Sequence, residues 1–225
     1  MRIVILRGAG EAFCAGADID WMRRQGASSQ EHNEQDALAL AHMLQALHML
    51  PQFTLALVHG AAYGGGAGLV AACDYAVAAA DAQFRFSEVR LGLTPATISP
   101  YVVEAVGPRT ARALFASALP FNAEEALLFG LVHEVAADQD ALSGVIGRFI
   151  GLALENAPGA VADAKALVRF LEDDAVRTRH APGGHRIDEH VIHETARRIA
   201  ARRTSAEGQE GLRAFLERRA PSWKA

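Results

Sequence analysis

The stretch Thr54-Leu55-Ala56-Leu57-Val58-His59-Gly60-Ala61-Ala62-Tyr63-Gly64-Gly65-Gly66-Ala67-Gly68-Leu69-Val70-Ala71 decides the fold class. Residues 54–58 are a short apolar run and read as a buried strand. His59-Gly60 leads from it into the glycine-rich Gly64-Gly65-Gly66-Ala67-Gly68, and a short helix is expected to follow as far as about Cys73. Adjacent glycines let a backbone approach a ligand closely, with its N–H groups pointing outward. The positive end of the helix dipole falls at the same place. A strand, a glycine turn and a helix N-terminus are the parts needed to hold a developing oxyanion. The alternative is a tight turn packed on a neighbouring strand.

Three other readings of these glycines compete. Gly66-Ala67-Gly68-Leu69-Val70-Ala71 fits the dinucleotide pattern G-x-G-x-x-A. A dinucleotide unit, however, spans roughly 30 residues with a longer crossover helix than this segment can hold. No Gly-Lys-Ser/Thr follows, which excludes a P-loop, and no G-x-S-x-G occurs, which excludes a nucleophile elbow.

Outward from this stretch, short strands alternate with helices. Residues 2–7 form a β-branched run closed by Gly8-Ala9-Gly10, followed by a loop from Glu11 to Asp18. Ser28-Ser29-Gln30-Glu31 has the look of a capping box, and Ala37, Leu40, Leu44 and Leu47 recur at helical spacing until Pro51. Strands are expected at Tyr75–Ala79 and Phe84–Phe86, with Glu88 just beyond the second. From Thr110 the pattern is mostly helical, interrupted by a strand-like Leu131–Val135, and Asp173–Gly184 reads as a polar loop. The class is α/β, with a core over residues 1–135 and a helical C-terminal lobe over 136–225.

Composition narrows the functions. The 225 residues are 51% hydrophobic and 21% charged, ordinary for a globular enzyme. A net charge of -4 offers no global basic field for nucleic acid. No apolar run approaches the roughly 18 residues of a membrane span. Cys14 and Cys73 could form at most one disulfide, and a reduced, cytoplasmic setting is the expectation. Met1-Arg2-Ile3-Val4-Ile5-Leu6 lacks the features of a signal peptide and reads as a buried strand.

Two motifs in order, Phe13-Cys14-Ala15-Gly16-Ala17-Asp18 and His59-Gly60-Ala61-Ala62-Tyr63-Gly64-Gly65-Gly66, resemble the enoyl-CoA hydratase/isomerase (crotonase) superfamily. A third, Phe86-Ser87-Glu88-Val89-Arg90-Leu91-Gly92-Leu93-Thr94-Pro95, and the tail Phe215–Trp223 extend the resemblance over nearly the whole chain. It implies a crotonase-like spiral of ββα units ending in a helical lobe. It also implies that the amides of Ala17 and Gly65 form an oxyanion hole for a thioester carbonyl. Glu88 corresponds to the general acid/base. The Ala15 carbonyl would meet the adenine of coenzyme A, and the Ala96 amide would position water or substrate. Asp18 and Gly64 are further substrate-binding positions. Arg218 matches a basic position near the coenzyme A phosphates, often supplied by a neighbouring subunit. Homotrimers or hexamers are the implied assembly. Coenzyme A is part of the substrate, so no separate cofactor and no metal are expected.

Two departures from the family matter. Two-glutamate hydratases carry a second glutamate two residues past the glycine triplet, where this chain has Gly68. A single glutamate is typical of enoyl-CoA isomerases. Against that, Leu91–Val103 resembles bacterial hydratases of the methylglutaconyl-CoA and carboxygeranoyl-CoA type, which can carry a small residue there. The expected reaction is hydration of a 2,3-enoyl-CoA, with a branched or glutaconyl-type acyl chain as candidate. Delta-isomerisation by Glu88 alone is the alternative. The family also has two strands and a helix ahead of the segment where this chain begins. From that comes an alternative of another class, a catalytically impaired CoA-binding or subunit-interaction protein.

Other chemistry-bearing residues have plainer readings. His190 and His193 lie i, i+3 beside Glu189 and Glu194, without an H-E-x-x-H pattern, so a solvated helix face is expected. Cys14 has no base nearby in sequence and reads as a small buried residue. Arg23, Arg24 and Arg90 could meet a substrate carboxylate or form surface ion pairs.

Overall fold

The computed structural model describes residues 1–178 and 187–224. The chain divides into two compact units, one of Ile3–Leu50 and Thr54–Arg148, the other of Met1–Arg2, Pro51–Phe53 and Phe149–Ala225. The first unit runs β1 (Ile3–Arg7), α1 (Ile19–Gly26), α2 (Gln30–His48), β2 (Phe53–Val58), β3 (Ala61–Tyr63), α3 (Gly65–Ala71), β4 (Tyr75–Ala79) and β5 (Gln83–Arg85). A 3-10 turn over Glu88–Leu91 then precedes α4 (Ser99–Ser117), β6 (Phe121–Asn122), α5 (Ala123–Phe129), β7 (Glu134–Ala136) and the first part of α6 (Gln139–Glu155), which continues into the second unit.

The strands form a sheet of order β1-β2-β4-β7 and a smaller one of order β3-β5-β6. Strands β2 and β4 pair in parallel, Leu55 to Tyr75 through Val58 to Ala78, and β3 and β5 pair in parallel from Ala61–Gln83 to Tyr63–Arg85. Each β2-β3-α3 turn is therefore repeated by β4-β5-α4, one coil stacked beside the next. Strands flanked on both sides can be apolar throughout, which is why Leu55–Val58 and Ala76–Ala79 are buried without alternation. Behind them, Phe84 stacks on Phe121 with ring centroids 5.4 Å apart, and Phe86 meets Phe115 edge-on at 5.1 Å. Helix α4 is broken at Gly107-Pro108, where Gly107 has φ 75° and the missing proline N–H ends the first segment.

Several elements differ from the sequence reading. Ser29 caps α2 by accepting from the His32 amide at 3.2 Å, with no glutamate at the third helical position, so no capping box forms there. The reciprocal box belongs to α5, between Asn122 and Glu125. Helix α4 begins at Ser99, earlier than expected, and the strand expected at Leu131–Val135 forms instead at Glu134–Ala136. Leu131 and Val132 are buried in the core. The 3-10 turn, α1, β3 and β6 have no counterpart in the sequence reading; the last two are too short to carry a periodicity.

The second unit contains α7 (Pro158–Thr178), α8 (Glu189–Thr204) and α9 (Ala206–Leu216). Glu207 supplies the cap that α7 lacks locally, accepting from the Gly159 and Ala160 amides at 3.0 Å each while pairing with Arg202. Arg2 donates to the carbonyls of Trp223 and Ala153 at 3.3 and 3.1 Å. Residues 173–178 of the expected polar loop continue α7, whereas 179–184 lie outside the described residues. The sequence puts the boundary at residue 135; the division between the units falls later, inside α6, whose Leu142 and Val145 are buried. Among the described residues, no helix is long and apolar enough to cross a membrane.

Candidate active site

The loop leaving β1 is held against the glycine-rich turn by backbone pairing. The Phe13 and Cys14 amides donate to the His59 and Ala61 carbonyls at 2.8 and 2.9 Å, and the Tyr63 amide donates to the Cys14 carbonyl at 2.9 Å. Cys14 and Ala62 thus form a parallel bridge. The buried His59 ring adds a second tie, its Nε2 lying 3.0 Å from the Gly10 carbonyl oxygen. Ala15, Gly16, Ala17 and Asp18 follow directly and are exposed. The approach is close: a Cβ on Gly66 would lie 2.7 Å from Cys14 Cβ.

Gly64 turns the chain from β3 into α3. Its φ of 53° and ψ of -119° suit glycine, and its amide donates to the Arg85 carbonyl of the neighbouring strand at 2.9 Å. Gly65 is the first helical residue of α3. The opening amides of a helix have no partner within it, so the Gly65 N–H is available to a ligand, and a Cβ there would meet open space. No side chain caps this helix.

Glu88 begins the 3-10 turn that follows β5, with the Leu93 amide bonded to its carbonyl at 3.0 Å. Its side chain folds back over the glycine turn, so that Oε1 would lie 3.1 Å from a Cβ on Gly64. Oε2 is buried without a hydrogen-bond partner. Burial raises the carboxyl pKa, opposed by a smaller contribution from its own backbone amide. A half-buried carboxyl with one orphan oxygen at an uncapped helix start can take up and release a proton on something bound there.

The remaining predicted residues are placed as follows. Asp18 is the N-cap of α1, accepting from the Trp21 amide at 3.0 Å, so its carboxylate serves the helix. The Ala96 residue is exposed, its carbonyl accepting from the Ser99 hydroxyl at 2.8 Å. Arg218 belongs to the other unit and is exposed, with φ 55°. Both cysteines are free thiols. Arg23 pairs with Asp20 at 3.3 Å on the surface, while Arg24 and Arg90 are exposed. His193 and Glu189 form an exposed pair at 3.5 Å, and His190 lies 3.9 Å from Asp174. Among the described residues, no group of three or more His, Cys, Asp or Glu could hold a metal ion.

Sequence reasoning missed two residues of this neighbourhood, His59 and Ile98. In the sequence the first, His59, stands out only as part of a motif. The second packs on Gly68 through a contact no local pattern encodes.

The whole chain, residues 1–225, matches the enoyl-CoA hydratase/isomerase family. An enoyl-CoA hydratase structure from Shewanella pealeana superimposes with a TM-score of 0.90 at 41% identity, covering 99% of this chain and 78% of that one. The Alternaria alternata enoyl-CoA hydratase AFT6-1 is 34% identical over 182 residues, which are 81% of this chain and 57% of that protein. A mitochondrial Delta(3,5)-Delta(2,4)-dienoyl-CoA isomerase from Dictyostelium discoideum is 29% identical over 235 residues, covering all of this chain and 75% of the relative.

Proposed function

Because the chain belongs to the enoyl-CoA hydratase/isomerase (crotonase) family, we propose that it adds water across the 2,3 double bond of an enoyl-CoA thioester. The observation that carries this reading is the Glu88 carboxyl, half-buried and raised in pKa, lying over Gly64 with one oxygen unpartnered. In the proposed reaction the thioester oxygen is held by the amides of Ala17 and Gly65. Two fixed donors supply several kcal/mol, given roughly 2.7–4 kcal/mol for one such donor elsewhere. Ionised Glu88 takes a proton from water as its oxygen bonds to C3. The electron pair of the double bond moves to the thioester, giving an enolate. Glu88, now neutral, returns that proton to C2, so one carboxyl balances the whole addition. Ala96 helps to place the water. The Ala15 carbonyl and Arg218, the latter from a neighbouring subunit of a homotrimer or hexamer, contact the coenzyme A moiety. Asp18, engaged as a helix cap, contributes by fixing the loop that carries Ala17.

The fold around Gly68 favours a second reading. With no acid at that position, Glu88 alone can also move a proton between carbons, converting a 3-enoyl-CoA to a 2-enoyl-CoA. Turnover in oxygen-18 water separates the two. Hydration places the label at C3 of crotonyl-CoA; isomerisation of 3-hexenoyl-CoA proceeds without adding oxygen. Protein that performs only the latter overturns hydration while leaving the enolate mechanism in place.

A further inference from the structure

We infer that Ile98 is a specificity-determining residue: its side chain fills the place above Gly68 and closes that flank of the site to a second acid and to bulk water. The inference rests on Glu88 being the reacting acid/base.

The geometry is specific. A Cβ on Gly68 would lie 2.2 Å from Ile98 Cγ2 and 2.6 Å from its Cβ, both too close for any real side chain, but 3.7 Å from its Cα, an ordinary contact. Only the Ile98 side chain therefore excludes a residue larger than glycine at position 68. The Gly68 amide donates to the Gly64 carbonyl at 3.1 Å, so the two glycines stand one helical turn apart, about 6 Å along α3. Glu88 Oε1 lies against Gly64, where the chain turns into α3, and Ile98 lies against Gly68 one helical turn further on.

Ile98 also breaks a local rule. It occupies the N-cap of α4, where a short polar side chain is favoured, and no side chain caps that helix. Such conflicts are expected where function overrides local preference. The residue is 1% exposed, so its surface is spent on packing rather than on solvent. Helix α3 carries no charged or titratable residue; those on the elements around it are Cys14, Tyr63 on β3, Arg85 on β5, Arg90 on the 3-10 turn, and Tyr101, Glu104, Arg109 and Arg112 on α4. None of them contributes to the raised Glu88 pKa, which comes from burial against its own backbone bond. In this proposal the Ile98 wall contributes to that burial, and with glycine at position 68 a single carboxyl performs every proton transfer.

The test uses the full chain labelled with carbon-13 at the glutamate side-chain carboxyls. The Glu88 resonance is assigned by its loss in Glu88→Gln, and its titration is followed in wild type, Ile98→Ala, Ile98→Thr and Ile98→Val. Thr and Val are nearly equal in volume and differ by one hydroxyl, so that pair decides the matter if the Ala variant does not fold. The expected result is a Glu88 pKa lowered by about half a unit or more, roughly a threefold loss of proton affinity, in Ala and Thr but not in Val. An unchanged titration in folded Thr and Ala variants overturns the inference. Crotonyl-CoA hydration and 3-hexenoyl-CoA isomerisation by Glu88→Gln test the underlying reading separately: undiminished turnover there removes Glu88 as the acid/base and the inference with it.

Discussion

Burial holds the Glu88 carboxyl above the ordinary carboxylate range, so the folded chain binds this proton more tightly than the unfolded one. Its favourable contribution to stability is complete below the unfolded value of 4.5 and is lost as pH rises through the raised folded value. Glu88→Gln removes that loss. The variant should match wild type in acid and melt at a higher temperature near neutrality, while turnover falls by about 10²–10⁴-fold. Parallel melting curves across pH, with rates on the same preparations, check both halves. A variant less stable than wild type at neutral pH would count against the buried, unpartnered Oε2. At Gly65 the expectation concerns one amide. Proline is tolerated at the first position of a helix, so Gly65→Pro deletes the N–H with limited damage to α3. Turnover should drop by about 10² or more, with circular dichroism near that of wild type.

At the scale of elements, β4 is tied to the segment before β7 by a histidine whose charge the fold does not accommodate. His133 Nδ1 accepts from the Ala76 amide at 3.1 Å, and the ring stacks on Tyr75 at 4.3 Å. Burial lowers its pKa below the usual 6.5, and protonating Nδ1 would break the bond it accepts from Ala76. Its stabilisation is therefore present above 6.5 and is lost as pH falls from there through the lowered folded value. His133→Asn, which keeps an acceptor but cannot titrate, should flatten the dependence of melting temperature on pH in that window. A slope unchanged from wild type would assign the acid sensitivity to other groups. The same scale explains the placement of the oxyanion-type elements. Cys14 pairs with β3 and Gly64 with β5, so two segments distant in sequence end beside one helix start.

For the whole molecule, the expected homotrimer or hexamer is a matter of apolar surface as well as of resemblance. Phe215 and Leu216, at the end of α9, are 82% and 80% exposed in a single chain. Large exposed apolar side chains in adjacent positions mark association surfaces more often than isolated ones do. Sedimentation at a multiple of the 24.0 kDa chain mass is expected, with Phe215→Ser shifting it toward the single chain. If the assembly forms and Arg218 serves a neighbouring site, Arg218→Ala should raise the KM for crotonyl-CoA with little change in kcat. A monomer of full activity would remove that assignment.

What the sequence by itself determined was the set of parts whose requirements are local. The glycine run from Gly64 announces a backbone turn that side chains would obstruct, and the runs at 54–58 and 75–79 announce strands, whose parallel pairing the structure supplies. Glu88 is visible in the sequence only as a carboxylate just past a strand, and its acid/base role came from the resemblance. The resemblance then related these parts to a reaction. Only the tertiary structure decided how they meet. The bridge from Cys14 to Ala62, the His59 tie to Gly10 and the α7 cap supplied by Glu207 all join residues far apart in sequence. So does the seat of Ile98 on Gly68, which explains why that position is glycine. Periodicity and turn chemistry act over a few neighbouring residues, whereas packing is settled by which distant surfaces fill the same space.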